Sequence, residues 1–222
     1  MENKKTEIIL FLPISHMHRF TQKAMQDEET TQYEPLRKFV NSFFSENHEM
    51  RQKQLPVMQY IRHISEALKF NDRFFATSYY IERDKTTYFA LFFMSSNILG
   101  FQKILEVKWA LDENSGRGFK IPQLQGNLFA EEFAEDTKNE NAERLEKILL
   151  DKLQEPKTNR QIYEITLQSE FLPKHTNEIF EKWQKDNSRF KVIDIKTNTE
   201  ARKHSFYISE KENKVQYKMD KQ

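Results

Sequence analysis

The sequence predicts an α/β domain followed by a winged helix-turn-helix domain. In the N-terminal half, apolar runs of strand length alternate with segments of helical spacing, which is typical of α/β proteins. From residue 142 onward the pattern is three helices and then two strands, the order of a winged helix. A loop with three of the four glycines and an acidic segment lie between them. We therefore predict an α/β domain at residues 1–125, an acidic linker at 126–141 and a winged helix domain at 142–222.

Composition and charge narrow the classes of function. The chain has 222 residues, 37% hydrophobic and 31% charged, which is enough to bury a sizeable core. A net charge of +1 means that the chain as a whole does not attract nucleic acid, so any basic surface must be local. The absence of cysteine excludes disulfides, thiolate metal sites and cysteine nucleophiles. It fits a reducing compartment, and with no signal-peptide pattern after Met1 we expect a cytoplasmic protein.

The N-terminal half opens with a strand. Ile8 to Leu12 is apolar on both faces and stops at Pro13, which favours a central strand of a sheet. Apolar residues at helical spacing predict helices at 33–44 and 57–68. The runs "RFFATSYYIE" and "TTYFALFFMS", joined by "RDK", predict a hairpin.

The longest apolar stretch, residues 88–111, is not predicted to cross a membrane. A spanning helix needs about 20 predominantly apolar residues, whereas Ser95, Ser96 and Asn97 interrupt this stretch and four charged or amide side chains follow. The stretch instead divides into the second hairpin strand and a helix that carries Phe101 and Trp109. We expect no membrane partner.

The C-terminal half predicts each element of a winged helix in turn. One helix begins at Ala142 and stops before Pro156, and a second follows Thr158 or Asn159 as its N-cap. A third begins at Pro173. "RFKVIDIKT" and "KHSFYISE" then alternate as strands around the basic turn "NTEARK".

Polar and basic side chains of the third helix and the wing are the candidate contacts to phosphates and base edges. These are Lys174, His175, Thr176, Asn177, Lys182, Lys185, Lys191, Lys196, Arg202 and Lys203. The alternative is a solvated face of a protein-interaction domain, because residues 142–222 hold 17 Lys and Arg against 14 Asp and Glu. That balance lacks the basic excess usual in nucleic-acid-binding domains.

Motifs for catalysis and for metal binding are lacking. His16 and His18 in "HMHRF" follow the first strand, where α/β proteins place ligand-binding residues, but no acidic partner at metal-site spacing accompanies them. The chain has no Gly-rich phosphate loop, G-x-S-x-G or HExxH motif. We predict no catalytic residue, no metal site and no cofactor for this chain, and leave open whether it acts in an enzyme.

Three segments in this order carry a family resemblance: "ISHMHRF", "YFALFFMSSNILGFQKILEVKWAL" and the terminal winged helix. The chain resembles the three-Cys-motif partner protein family, TcmP, whose C-terminal module is a GMT-like winged helix-turn-helix. The resemblance implies a partial class I methyltransferase-like sheet, with a central strand, two helices and a closing hairpin. The family's Asp-Pro-Phe-Gly motif, Gly-rich cofactor loop and acidic ribose-binding residue have no counterpart here, so methyltransferase activity is not implied for this chain alone.

Three functions remain open at this stage. The first is a TcmP-like protein that binds DNA or RNA through its winged helix and lacks a complete catalytic domain. The second is half of a split or truncated S-adenosylmethionine-dependent enzyme that modifies nucleic acid, and the third is a protein-interaction adaptor. The resemblance implies a radical-SAM-like three-Cys-motif protein as partner, or a chain that supplies the missing half, and a setting in mobile elements or phage defence. It also implies an exposed apolar sheet edge at Ile8 to Leu12 unless something covers it.

Overall fold

The protein combines helices with small sheets, and its described residues group into two compact units. The computed structural model describes residues 6–27, 29–69, 73–84, 87–120, 130–186 and 189–220. Unit 1 comprises Met1–Ile104, Ala110–Asp112 and Gly116–Asn127, and unit 2 comprises Leu105–Trp109, Glu113–Ser115 and Leu128–Gln222. A mixed α and β composition was predicted and is confirmed.

Unit 1 contains one four-stranded sheet and several helices. In chain order its elements are β1 (Glu7–Leu12), α1 (Ile14–Gln26), α2 (Glu34–Phe43), α3 (Glu49–Gln52), α4 (Val57–Ala67), β2 (Phe75–Asp84), β3 (Thr87–Ser95), the first part of α5 (Ile98–Leu111) and β4 (Gly118–Lys120). The predicted helices at 33–44 and 57–68 are confirmed as α2 and α4. Their apolar residues recur every three or four positions, which places them on one face.

The sheet has the order β1-β3-β2-β4. The predicted hairpin is confirmed, because β2 and β3 pair antiparallel from Phe75 opposite Ser95 to Glu82 opposite Tyr88. β1 also pairs antiparallel with β3, and β4 pairs parallel with β2. β1 and β2 therefore run in the same direction, with β3 between them.

One face of this sheet packs against α1, α2 and α4 to make the core of unit 1. Ala90, Phe92 and Met94 alternate along β3 and are all buried, as the two-residue period of a strand requires. Ile14 of α1 and Ile64 of α4 are completely buried in the same cluster. Burial of such side chains stabilises a fold by roughly 1.5–3 kcal/mol each.

β1 was predicted to be a central strand, and that prediction is wrong for the described sheet. It stands at one end of the strand order, and its residues alternate between exposed and half-buried. Ile9 is 65% and Phe11 56% exposed, while Ile8 and Leu10 pack against the core. Apolar residues on both faces of β1 therefore did not indicate burial on both faces. Phe11 stacks on Phe89 of the neighbouring strand β3, at 5.1 Å between ring centroids, and still remains more than half exposed.

The segment "HMHRF" follows β1 and lies inside α1. The His16 ring packs against Phe20 at 4.8 Å between centroids, whereas His18 Nε2 hydrogen-bonds the Leu55 carbonyl and its ring lies edge-on to Tyr60. Residues two apart on a helix are turned by about 200° around its axis. Two such imidazoles face different directions, and in the described residues no group of His, Asp and Glu could hold a metal ion.

Unit 2 contains three long helices and a three-stranded sheet. Its elements after α5 are α6 (Ala130–Lys152), β5 (Lys157–Thr158), α7 (Asn159–Gln168), α8 (Pro173–Asp186), β6 (Phe190–Asp194) and β7 (Val215–Met219). The sheet has the order β5-β7-β6, and both of its pairings are antiparallel. The three predicted helices correspond to α6, α7 and α8, and the first predicted strand to β6.

The second strand of the C-terminal sheet lies later in the chain than predicted. "KHSFYISE", residues 203–210, has no strand, and β6 pairs instead with β7. His204 and Tyr207 have φ angles of 61° and 52°, which an extended strand excludes. The alternation of that segment arises because Phe206 is buried while Tyr207 is half exposed. We call residues 195–214, between β6 and β7, the wing segment.

The predicted acidic linker, 126–141, is helical where it is described. Residues 130–141 are the first turns of α6, and residues 126–129 lie outside the described part of the chain. An acidic helix without an apolar stripe on its first turns has the composition of a linker, which explains the prediction. Among the described helices, none is long and apolar enough to cross a membrane.

Candidate nucleic-acid interface

α8, the predicted recognition helix, is fixed in unit 2 by one buried face. Its buried residues follow the helical period and are Thr176, Ile179, Phe180 and Trp183. The Thr176 hydroxyl hydrogen-bonds the Thr166 hydroxyl of α7 at 2.8 Å. Trp183 Nε1 donates to Glu146 Oε1 of α6 at 2.6 Å. These contacts leave the opposite face of α8 accessible.

The accessible face of α8 carries both signs of charge. Lys174, Lys182 and Lys185 are exposed, as a phosphate contact requires. Glu178 and Glu181 lie on the same side, because residues three, four and seven apart are neighbours on a helix. Carboxylates repel phosphates, so only part of this face is suited to a nucleic-acid backbone.

Thr176 cannot be a base or phosphate contact, and this part of the prediction is wrong. Its side chain is completely buried, because it belongs to the stripe that packs against α7. His175 is half-buried, with its ring 4.3 Å from Trp109 between centroids and its Nδ1 accepting a hydrogen bond from the Leu172 amide. Asn177 is also half-buried. Of the four residues predicted at the start of α8, Lys174 is the exposed one.

The predicted basic residues of the sheet and the wing segment have different surroundings. Lys191 Nζ lies 2.7 Å from Asp220 Oδ2, and this hydrogen bond raises the pKa of Lys191 and lowers the pKa of Asp220. Lys196 Nζ lies 4.0 Å from Glu212, with both side chains largely in solvent. Arg202 and Lys203 are exposed. These last two are the predicted wing cations best placed to meet a phosphate.

The first turn of the wing segment is held by a single carboxylate. Asp194 Oδ1 accepts hydrogen bonds from the amides of Thr197, at 3.0 Å, and Lys196, at 2.8 Å, and these bonds lower the pKa of Asp194. The chain then turns back, and the Ala201 amide donates to the Val192 carbonyl at 2.8 Å. Arg202 follows directly, so its position depends on this turn.

A buried amide fixes the other end of the wing segment, and sequence reasoning missed its role. Asn159 is 1% exposed. Its Nδ2 donates to the carbonyls of Tyr207 at 3.0 Å and Glu212 at 3.3 Å. Its Oδ1 accepts from the amides of Lys214 at 2.8 Å and Val215 at 3.2 Å. One side chain therefore satisfies four backbone groups of the wing segment and the start of β7.

Asn159 was considered only as an alternative N-cap of α7, a role that belongs to Thr158. Thr158 Oγ1 accepts from the Gln161 amide at 3.3 Å and Gln161 Oε1 accepts from the Thr158 amide at 2.9 Å, which is a capping box. The T-x-x-Q spacing in the sequence could have assigned the cap. With Thr158 assigned as the N-cap, the sequence would still have given no role to Asn159.

An aromatic cluster holds the middle of the wing segment. Phe206 is 3% exposed, with its ring 5.6 Å from Phe180 of α8 between centroids. The Tyr217 hydroxyl donates to the Phe206 carbonyl. The wing segment is thus tied to α8 and β7 at a point close to Arg202 and Lys203.

The family resemblance has no independent support. No protein-family model, curated protein or solved structure matches this chain. The resemblance to TcmP stays a prediction.

Proposed function

We propose that unit 2 is a winged helix domain that binds duplex nucleic acid with the exposed side of α8 and with its wing segment. The observation that carries this is the order α6, β5, α7, α8, β6, wing segment, β7, with a sheet ordered β5-β7-β6. A helix-turn-helix module places its second helix in the major groove, and in a winged helix the wing lies against the backbone. α7 and α8 correspond to that helix pair.

Four exposed cations support the contact to nucleic acid. Lys174 and Lys185 lie on α8, and Arg202 and Lys203 lie on the wing segment. Since Glu178 reduces the positive potential of α8, we expect few phosphate contacts and an affinity that falls with salt. We expect α8 to contact base edges, which carry the sequence information, and the wing segment to contact phosphates, which position the domain on the duplex.

A double substitution of Lys174→Ala with Arg202→Ala tests this function. Each lost phosphate contact reduces the dependence of log K on log salt by about 1, so the slope should fall by about 2 and binding should weaken at low salt. Fluorescence anisotropy of a labelled DNA duplex over a salt series measures both quantities.

The matched control removes two cations of unit 1. Lys38 and Lys53 are 73% and 60% exposed, so Lys38→Ala with Lys53→Ala changes the net charge equally and should leave the slope unaltered. Absence of binding at low salt, or equal effects of the two double variants, would count against a nucleic-acid interface.

A protein-interaction adaptor is the second candidate, and two observations favour it. The accessible face of α8 alternates Lys with Glu178 and Glu181, which suits a protein surface of mixed charge better than a phosphate backbone. In unit 1, Ile9 and Phe11 are exposed on an end strand of the sheet, and exposed apolar edges pair readily with other chains. If this chain does not bind duplex DNA at low salt, the protein-interaction adaptor becomes the favoured function.

The resemblance adds a proposal for unit 1, namely the C-terminal half of a class I methyltransferase-like sheet. The closing hairpin β2–β3 beside β1 supports this proposal, as does the position of β1 at an end of the described sheet. A second chain would then pair with β1 to complete a split S-adenosylmethionine-dependent enzyme, and a radical-SAM-like three-Cys-motif protein is the partner that the resemblance suggests. Binding of S-adenosylmethionine by this chain alone would contradict the split.

A further inference from the structure

Unit 2 contains a cavity whose lining includes none of the four cations proposed to contact nucleic acid. Its volume is about 220 Å³, smaller than the roughly 300–1,000 Å³ of sites for drug-sized ligands. All of its lining residues belong to unit 2. They include Trp109, Phe171, Ile179 and three carboxylates, so the cavity has an apolar wall and an acidic side.

Three rings in mutual contact make the apolar wall. The ring centroids of Trp109 and His175 are 4.3 Å apart, those of Trp109 and Phe171 are 5.8 Å apart, and Phe171 and His175 meet edge-on at 5.9 Å. All three side chains line the cavity. Planar cations stack on π faces, and a guanidinium does so more readily than an ammonium.

The wall is fixed before any ligand enters. Trp109 is 6% exposed and its Nε1 donates to the Glu170 carbonyl at 2.9 Å. His175 is oriented by the hydrogen bond from the Leu172 amide to its Nδ1. A preformed site loses little conformational entropy when it binds a ligand.

The other side of the cavity is acidic. Glu113, Glu146 and Glu178 line the cavity, and the one lining cation is Lys182, whose Nζ lies 3.5 Å from Glu146. Since Lys182 and Glu146 offset each other, Glu113 and Glu178 give the lining a net charge of −2. A charge of this sign favours a cationic ligand.

Unit 2 already contains one guanidinium against the same ring. The Arg144 guanidinium carbon lies 4.7 Å from the centroid of Phe171. Arg144 is not among the residues that line the cavity. The contact between Arg144 and Phe171 shows, within this unit, the guanidinium–aromatic stacking that we expect for a ligand in the cavity.

We propose that this cavity binds a guanidinium group, stacked on the Trp109 and His175 wall, with its N–H groups donating to the carboxylates of Glu113 and Glu178. Arginine-type donors and carboxylates match in geometry, and such charge-assisted hydrogen bonds are about twice as strong as neutral ones. The group belongs either to a small alkylguanidine or to an arginine side chain of another protein. The proposal is independent of nucleic-acid binding.

Titration of the whole chain with three probes tests the proposal. The probes are ethylguanidinium, N-acetylarginine amide and ethylurea, which is the neutral analogue of the first. The chain has two tryptophans, so a Trp183→Phe variant identifies the indole N–H signal of Trp109 in a ¹H–¹⁵N spectrum. Ethylguanidinium should shift that signal saturably, and ethylurea should not.

Substitution of Glu113 and Glu178 distinguishes binding in the cavity from a general effect of negative charge. Glu113→Gln with Glu178→Gln should weaken ethylguanidinium binding about tenfold or more, because the substitutions keep an acceptor oxygen but replace charge-assisted hydrogen bonds with weaker neutral ones. Glu143→Gln with Glu140→Gln is the matched control on α6, since both residues are exposed and neither lines the cavity. The spectrum itself reports whether each variant is folded.

The relative affinities of the two guanidinium probes identify the source of the guanidinium group. Tighter binding of N-acetylarginine amide than of ethylguanidinium indicates an arginine of a partner protein, and the reverse order indicates a small alkylguanidine. The proposal is overturned if ethylurea shifts the Trp109 signal as ethylguanidinium does, if neither guanidinium saturates it, or if the Glu140 and Glu143 control weakens binding equally.

Discussion

Asn159→Ala is expected to destabilise unit 2 by about 2–3 kcal/mol, because it leaves several backbone groups without a partner. The amide of Val215 loses its acceptor in a fully buried position. The Lys214 amide loses its acceptor, and the carbonyls of Tyr207 and Glu212 lose their donor, in positions that water reaches in part. The truncation thus removes four hydrogen bonds with one side chain.

Tryptophan fluorescence during denaturation by urea measures this effect in unit 2. Both tryptophans, Trp109 and Trp183, belong to that unit, so the signal follows its unfolding. Thr158→Ala is the matched control at the neighbouring position, and loss of an N-cap costs about 1 kcal/mol. If the two variants lose equal stability, Asn159 does not act as the anchor of the wing segment.

Amphipathic helices were the part of the fold that the sequence predicted best. α2, α4, α7 and α8 each place apolar residues at a period near 3.6 on one buried face, and that period is a local property of the chain. The β2–β3 hairpin was predicted for the same reason, since both strands and their short connection are contiguous.

Elements that depend on distant contacts were missed. β7 at Val215–Met219 reads "VQYKM", which is a weak strand pattern, and it becomes a strand because β5 and β6 pair with it on both sides. α1 at Ile14–Gln26 was not predicted, although "HMHRF" was placed directly after the first strand. For β7, pairing across the chain overrides local propensity, whereas the buried residues of α1, Ile14, Met17, Thr21 and Ala24, have a helical spacing that the sequence already contains.

The candidate site was predicted in outline but not in its supporting contacts. Lys174, Lys185 and Arg202 are exposed as expected, because charged side chains are seldom buried. Thr176 was misassigned, since a polar residue type does not reveal that its hydroxyl has a buried partner in Thr166. Hydrogen bonds such as that of Asn159 to the wing segment join residues about 50 positions apart, and no local pattern in one sequence encodes them.

The aromatic cluster of unit 2 gives the second large prediction. Phe180→Ala should destabilise unit 2 by about 3–5 kcal/mol, the range for aromatic truncation in a packed core. Phe180 is completely buried, and its centroid lies 4.8 Å from Phe190, 4.8 Å from Tyr217 and 5.6 Å from Phe206. One ring therefore joins α8 to β6, β7 and the wing segment.

Urea denaturation followed by tryptophan fluorescence should show this loss, and hydrogen exchange should show faster exchange of the amides of the wing segment. Phe180→Leu keeps most of the apolar volume and should cost less than Phe180→Ala, since the residual cavity is smaller. Leu150→Ala is the surface control, because Leu150 of α6 is 39% exposed and such substitutions usually change stability by less than about 0.5 kcal/mol. Phe180→Ala could instead accelerate exchange in β7 but not in the wing segment. Phe206 would then be held by the hydrogen bond from the Tyr217 hydroxyl to its carbonyl, and not by the ring of Phe180. The positions of Arg202 and Lys203 would depend on that hydrogen bond.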